Sequence, residues 1–275
     1  MASYFRSWSP LPPHWSRLVL GFALMLICGT GLVTADPTVS PRQYSDARQE
    51  QDKATVDAAE AAMATGGAGA LASHIADLED VAKRPPQGFA KLQQVGGELR
   101  YRAENLAEFT AWSIARSKAR DEPAAKMVWL PDTYPTASFL LAWYYDEVRQ
   151  PDKALAAADQ GLALAPAEAR LVAEKAQALI QLHRLEPALA IYSGGLATDG
   201  FLSDKSRALL LRGRGYCLTE LNHLDEAEQA YRDSLALEPD HVSARNELTY
   251  ISSLRAGGAK APTKMLTYDK AKSGQ

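Results

Sequence analysis

The sequence predicts an all-α protein, a solenoid of helix-turn-helix repeats, and three observations predict it. A small residue, a second small residue twelve positions on and a chain breaker twelve further on recur three times: Ala142, Ala154 and Pro166; Ala176, Ala188 and Gly200; Gly215, Ala227 and Pro239. Around them apolar residues recur at spacings of three and four, the period of a helix with one buried side, as in Leu211, Gly215 and Leu218. The composition is that of a soluble globular chain: 275 residues, 47% hydrophobic and 23% charged, unlike a polytopic membrane protein, a collagen or a disordered chain.

The first element is an export signal over residues 1–35. An apolar run from Leu18 to Cys28 follows a flank that carries Arg6, Arg17 and no acid, and small residues stand at Val33 and Ala35. That pattern predicts cleavage after Ala35 and a periplasmic or cell-envelope location. The alternative is an uncleaved inner-membrane anchor, since 18–33 approaches the length that crosses a bilayer, but Gly29 and Gly31 weaken the helix at its end. Met25-Leu26-Ile27 before Cys28 lacks the small residues of a lipid-attachment box. Cleavage removes two basic residues, leaving 28 Lys and Arg against 33 Asp and Glu, and Cys217 as the last thiol. A single cysteine forms no intramolecular disulfide, so packing must hold the fold, and Cys217 reads as a small buried residue.

Residues 36–134 read as a helical N-terminal region. An Ala-rich helical pattern runs from Tyr44 to Ala64, breaks at 65–69, and resumes from Ala70 to Lys83 before Arg84-Pro85-Pro86. Ala64, Ala76 and Gly88 pass the same spacing test, which would make one divergent repeat, although Gly66 and Gly67 then fall inside its first helix. After Gly96-Gly97 a helix is expected from about Glu98 to Lys118, with Leu106, Phe109, Trp112 and Ile114 on its apolar side. Asp121 to Tyr134 contains Pro123 and Pro131 and is expected to be a loop, whose apolar Met127-Val128-Trp129-Leu130 lets Trp129 fold back over the first repeat.

Residues 135–256 form the solenoid. In each copy the small residue on the first helix lets its backbone approach the second helix, which offers Ala154, Ala188 or Ala227 in return. The second and third copies are offset by five extra residues, assigned to an insertion around Phe201 to Lys205. The middle copy has Pro187 before Ala188, so its second helix is expected to start late. The third copy, Ala208-Leu-Leu-Leu-Arg-Gly-Arg-Gly-Tyr-Cys-Leu, then Asn222-His-Leu-Asp-Glu-Ala and Tyr231 to Pro239, resembles the tetratricopeptide repeat family. The copies from Pro135 and Ala169 resemble it too, and three repeats suffice for a stable stack. Val242 to Leu254 reads as a helix that caps the last repeat, and 257–275 as a flexible basic tail.

No chemistry is legible. The net charge of -3 offers no positive field for nucleic acid. His183 and His223 occupy equivalent turns, and no histidine or cysteine set has the spacing of a metal site. Gly66-Gly67-Ala68-Gly69 lacks the Gly-Lys-Ser/Thr of a phosphate loop, and Tyr192-Ser193-Gly194 is no nucleophile elbow. The acids Glu168, Glu174, Glu186 and Asp225-Glu226 read as solvated helix faces. No catalytic residue, metal or cofactor is expected.

The resemblance implies a non-catalytic scaffold or adaptor that binds a peptide or partner protein on the concave face lined by the first helices. In the first copy these positions are Phe139, Trp143, Asp146 and Glu147. In the second they are Arg170, Ala173, Gln177 and Gln181, and in the third Arg212, Tyr216 and Glu220. Asn246 and Tyr250 extend the row. Arg170 and Arg212 suggest a clamp for a carboxylate of the bound peptide. The alternatives are a membrane-anchored assembly factor, or an enzyme or ligand carrier with its site in the N-terminal region.

Overall fold

The computed structural model describes residues 46–118 and 126–258. The expected export signal and the tail beyond Gly258 lie outside the described residues. The elements run α1 Ala47–Leu71, α2 Ile75–Ala82, β1 Leu92–Val95, β2 Glu98–Ala103, α3 Leu106–Lys118, β3 Lys126–Pro131, α4 Thr133–Glu147, α5 Pro151–Leu164, α6 Ala169–Gln181, α7 Leu185–Leu196, α8 Asp204–Glu220, α9 Leu224–Leu237 and α10 Val242–Arg255.

The repeats fold as helix-turn-helix pairs α4/α5, α6/α7 and α8/α9. Ala142, Ala154, Ala176, Ala188 and Ala227 are wholly buried and Gly215 is buried, so all six small residues lie inside the helix contacts. The first helix of each pair ends the same way. Arg149, His183 and Asn222 take positive φ, and the next residue's N–H bonds back at 2.8 Å to the carbonyl of Tyr145, Leu179 or Leu218. This left-handed cap satisfies carbonyls that the helix leaves open and turns the chain sharply into the second helix. The second helix of the middle pair does not start late: α7 begins at Leu185, three residues before Ala188, as in the other two pairs. Pro187 falls in the first turn, where its missing N–H has no intrahelical partner to lose.

Successive first helices touch, α4 against α6 and α6 against α8, with no comparable contact between α5 and α7 or α7 and α9. The first helices are therefore the inner layer and the second helices splay along the outer one. On the last repeat, α10 places Ala244 and Ile251 with Leu218, Ala230 and Tyr231 and covers its apolar face.

Ahead of the repeats the expected helical region is only partly helical. The glycine-rich break is a kink in α1 at Gly67, with φ of 58°. Ala64 and Ala76, which passed the spacing test, are exposed; the buried contacts are made by Ala59, Leu71, Leu78 and Val81 against α4. Asp52, 1% exposed, accepts from Arg84 Nη2 at 2.7 Å and from the Tyr134 hydroxyl at 3.1 Å, joining α1 and the end of α2 to α4.

The segments 92–103, 106–118 and 126–131, expected as helix and loop, instead form a small sheet of order β1-β2-β3 with α3 between the parallel strands β2 and β3 in chain order, and 121–125 of the expected loop lie outside the described residues. The physical reason is a period of two. Leu99, Tyr101 and Ala103 face inward, and Glu98, Arg100 and Arg102 face out. Gly96-Gly97 closes the two-residue hairpin, with φ of 58° at Gly96. Trp129 does not cap the first repeat: it lies on β3, packs beside Leu99, Tyr101, Phe109 and Trp112, and donates from Nε1 to the Ala103 carbonyl at 3.0 Å. Phe201, in the loop insertion between α7 and α8, packs on the same cluster.

A half-buried charge helps join this unit to the solenoid. Lys91 Nζ, just ahead of β1, reaches Asp132 at 2.7 Å, Glu168 at 2.8 Å and Glu108 at 3.2 Å. Asp132 and Glu168 precede α4 and α6, so the unit is fastened across the N-terminal ends of two first helices, where carboxylates also suit the helix dipoles. Burial works against the ammonium, yet Glu168, Asp132 and Glu108 raise its pKa well above the ordinary lysine value.

Candidate functional site

The inner layer holds the expected row, and the structure sorts its members into three groups. Trp143, Gln177, Gln181, Tyr216, Glu220 and Tyr250 are partly open, and Glu147 and Asn246 are exposed. They follow one another along α4, α6 and α8, whose successive contacts carry the row through the three repeats, and α10, packed on α9, adds Asn246 and Tyr250 beyond it.

Phe139, Arg170 and Ala173 are not on that surface; all three are buried. Ala173 packs within the solenoid, and the N-terminal unit reaches Arg170. Arg170 Nη1 pairs with Glu104, which follows β2, at 3.0 Å, its Nε with Glu168 at 3.3 Å, and its guanidinium lies 4.4 Å from the Phe139 ring. Burial opposes its charge, and Glu104 and Glu168 more than compensate. Arg212 is likewise engaged, with Glu238 at 2.5 Å and the Ser234 hydroxyl at 3.1 Å. The two arginines are thus neutralised by the chain's own carboxylates and form no clamp.

The third group is acidic and buried. Asp146 is 9% exposed and Glu174 8%, on neighbouring first helices. The solvated reading of Glu168 and Glu174 is therefore corrected: one is the partner of Lys91 and the other lies in the inner layer. Gln181 Nε2 donates to the Asp146 carbonyl at 3.1 Å and holds the ends of α4 and α6 together. Burial pushes the Asp146 carboxyl up to about 7, with Glu147 adding to it and Gln181 and Arg149 opposing. Burial, then Asp146 and Glu147, raise Glu174 well above the usual carboxylate range, against Arg170. The sequence carried a signal for Glu174: it falls between Leu171 and Ala178 on the buried stripe of α6.

A stability slope follows. A carboxyl whose pKa is raised by folding contributes fully below its unfolded value, near about 4, and that contribution is lost as pH rises through its folded value. Asp146 therefore makes the protein less stable at pH 8 than at pH 5. In Asp146→Asn this part of the slope disappears, so the variant should melt higher than the parent at pH 8 and close to it at pH 5. Calorimetry at the two pH values checks this; equal differences at both would contradict it.

Cys217 is completely buried; burial, then the charge of Glu220, pushes its thiol up to about 12, which keeps it protonated and unreactive. Among the described residues no group of three or more His, Cys, Asp or Glu side chains is arranged to hold a metal ion. Away from the row, Leu106 and Ile114, 54% and 53% exposed, border a shallow apolar depression on α3 with Ala107, Thr110 and Ala111.

Residues 213–241 match the tetratricopeptide repeat model. No curated protein shows significant similarity to the sequence. Among solved structures, the first TPR domain of the human RPAP3 protein is 24% identical, covering 45% of this chain and 93% of its own, with a TM-score of 0.41. The second TPR domain of human RPAP3, in complex with the HSP70 peptide SGPTIEEVD, is 25% identical over 43% of this chain and 98% of its own, at 0.37. BtubC (BKLC) from P. vanneervenii is 16% identical over 83% of this chain and 100% of its own, at 0.35. The chain carries a tetratricopeptide repeat at 213–241 and folds as an all-α solenoid of the tetratricopeptide type.

Proposed function

We propose that this protein is a non-catalytic scaffold of the periplasm or cell envelope that holds a peptide or partner protein on its inner face. The observation that carries the reading is the row of half-buried Trp143, Gln177 and Tyr216 on the contacting first helices α4, α6 and α8, with Tyr250 beyond it on α10. Aromatic side chains fixed at their base and open at one edge are the kind that concentrate binding energy. Export rests on the positively flanked apolar run ahead of Ala35. No helix among the described residues is long and apolar enough to cross a membrane. The half-buried Lys91 centre does not favour an enzyme in the N-terminal region, because three carboxylates hold its ammonium charged and leave no free amine.

Affinity capture from the native envelope tests the reading. A Trp143→Ala, Tyr216→Ala protein, and separately Gln177→Lys, which alters the row without opening the core, should each lose the partner that the parent retains. Retention of the same partners by both variants would move the binding surface elsewhere.

A further inference from the structure

We propose that the strand-bearing unit ahead of the solenoid is a strap: it grips the chain at the starts of α4, α6 and α8 together, ties the first repeat to the third, and so fixes how far the inner face opens. The inference concerns the shape of the inner layer and stands apart from whether a partner docks there.

A stack of helix pairs is quasi-one-dimensional, because each repeat touches only its neighbours, and its curvature is the sum of small rotations at each junction. A tie between repeats that are not neighbours removes that freedom. The unit makes such a tie along one rim. At α4 the link is covalent as well as ionic: β3 ends at Pro131, and the next residue, Asp132, meets Lys91 at 2.7 Å. At α6 it is doubled, since Lys91 also reaches Glu168, and Glu104 reaches Arg170 in the first turn of the helix. At α8 it is apolar. Phe201 packs on the unit's cluster of Leu99, Tyr101, Phe109 and Trp112, while the adjacent Leu202 packs on the second repeat's core of Ala169, Ala176 and Tyr192. Ser203 then caps α8 by accepting from the Ser206 N–H at 3.1 Å, so whatever holds Phe201 also holds the start of α8.

The chain spends extra length on this contact. The connections 165–168 into α6 and 238–241 into α10 have four residues each, whereas 197–203 into α8 has seven. Helix connections in such stacks are short unless a longer one has a use, and here the added residues carry Phe201 to the unit. Gly200 beside it lets two connections touch. A Cβ there would stand 2.4 Å from Cβ of Ala167, in the connection into α6. The segments entering α6 and α8 therefore lie against each other at the rim where the unit holds both.

The test is the distance between the first and third repeats, read by pulsed electron spin resonance. Nitroxides are placed at Ala156→Cys on α5 and Ala236→Cys on α9, both exposed positions on outer helices. The full chain is used with Cys28→Ser, and Cys217 is buried and escapes labelling. The parent should give one narrow distance. Phe201→Ser removes the apolar anchor from a half-buried loop position, and Glu104→Gln removes an ionic one from an exposed residue. Each should broaden the distribution, and the two combined should shift its mean by about 2 Å or more, the scale on which packed helices slide. Phe201→Leu keeps an apolar anchor and should stay at the parent distance. Circular dichroism should show undiminished helicity throughout; should Phe201→Ser lose helicity, Glu104→Gln decides by the same criterion. A broad distribution in the parent, or an unchanged narrow one in the variants, overturns the strap. Labels that spread in the variants, with no partner captured on the inner row, support the strap and contradict the scaffold; fixed labels with a captured partner do the reverse.

Discussion

Lys91→Met should lower folding stability by about 3–5 kcal/mol, the range for removing one member of a buried ion pair and leaving the other uncompensated. Here one ammonium serves three carboxylates, two of them on residues buried at the starts of α4 and α6. Its effect also has a pH signature. Burial pushes Asp132 up to about 6 although Lys91 opposes it, whereas at Glu168 burial is outweighed by Lys91 and Arg170, which bring its carboxyl to about 2. Glu168 thus contributes stability that is present above its unfolded value and lost as pH falls toward about 2. Without Lys91 all three carboxyls are less favoured as anions, so Asp132 and Glu108, already raised by burial, rise further and Glu168 loses part of what holds it low. The variant's deficit should therefore be larger at pH 8 than at pH 5, which urea denaturation at both values measures. A deficit below about 1 kcal/mol, the scale of an exposed pair, would show that Lys91 does not fasten the N-terminal unit to the solenoid.

Gly213→Ala should destabilise the protein, against the usual direction. Within a helix, Ala is favoured over Gly by about 0.8–1 kcal/mol. At Gly213 the new methyl would stand 2.2 Å from two carbons of the Tyr192 ring, which is almost fully enclosed and has no open side to move into. Overpacking of this kind costs about 1–3 kcal/mol, enough to reverse the sign. Tyr192→Leu in the same chain removes the clash and should restore the normal preference for alanine, so a double-mutant cycle should return a favourable coupling. A higher Tm for Gly213→Ala alone would mean that the Tyr192 ring does not pack against Gly213.

The repeats were readable because their small residues do a job that depends on spacing alone. Ala142 with Ala154, and Ala176 with Ala188, bring two backbones together, and any larger side chain would separate them. The sheet was hidden because β2 is only six residues long and β3 is bounded by Pro131, so alternation in Leu99, Tyr101 and Ala103 competed with a helical reading of the same segment. The Gly96-Gly97 pair was its one local signal. At the site, sequence located the inner row but not its charge state. Arg170 is neutralised by Glu104 from the inserted unit and Arg212 by Glu238 from the following helix end, and neither partner is visible from helical spacing. Glu174 was misread for a different reason: its place between Leu171 and Ala178 on the buried stripe was legible, and the carboxylate's preference for water was weighed above it.

The central claim is that a partner docks on the inner layer, and photocrosslinking in the native cell tests it most directly. A photoreactive residue at Gln177 or Tyr250, on the inner row, should capture a partner protein, and one at the exposed Asp233 on the outer helix α9 should not. Crosslinks from Asp233 alone, or the same products from all three positions, would contradict the account.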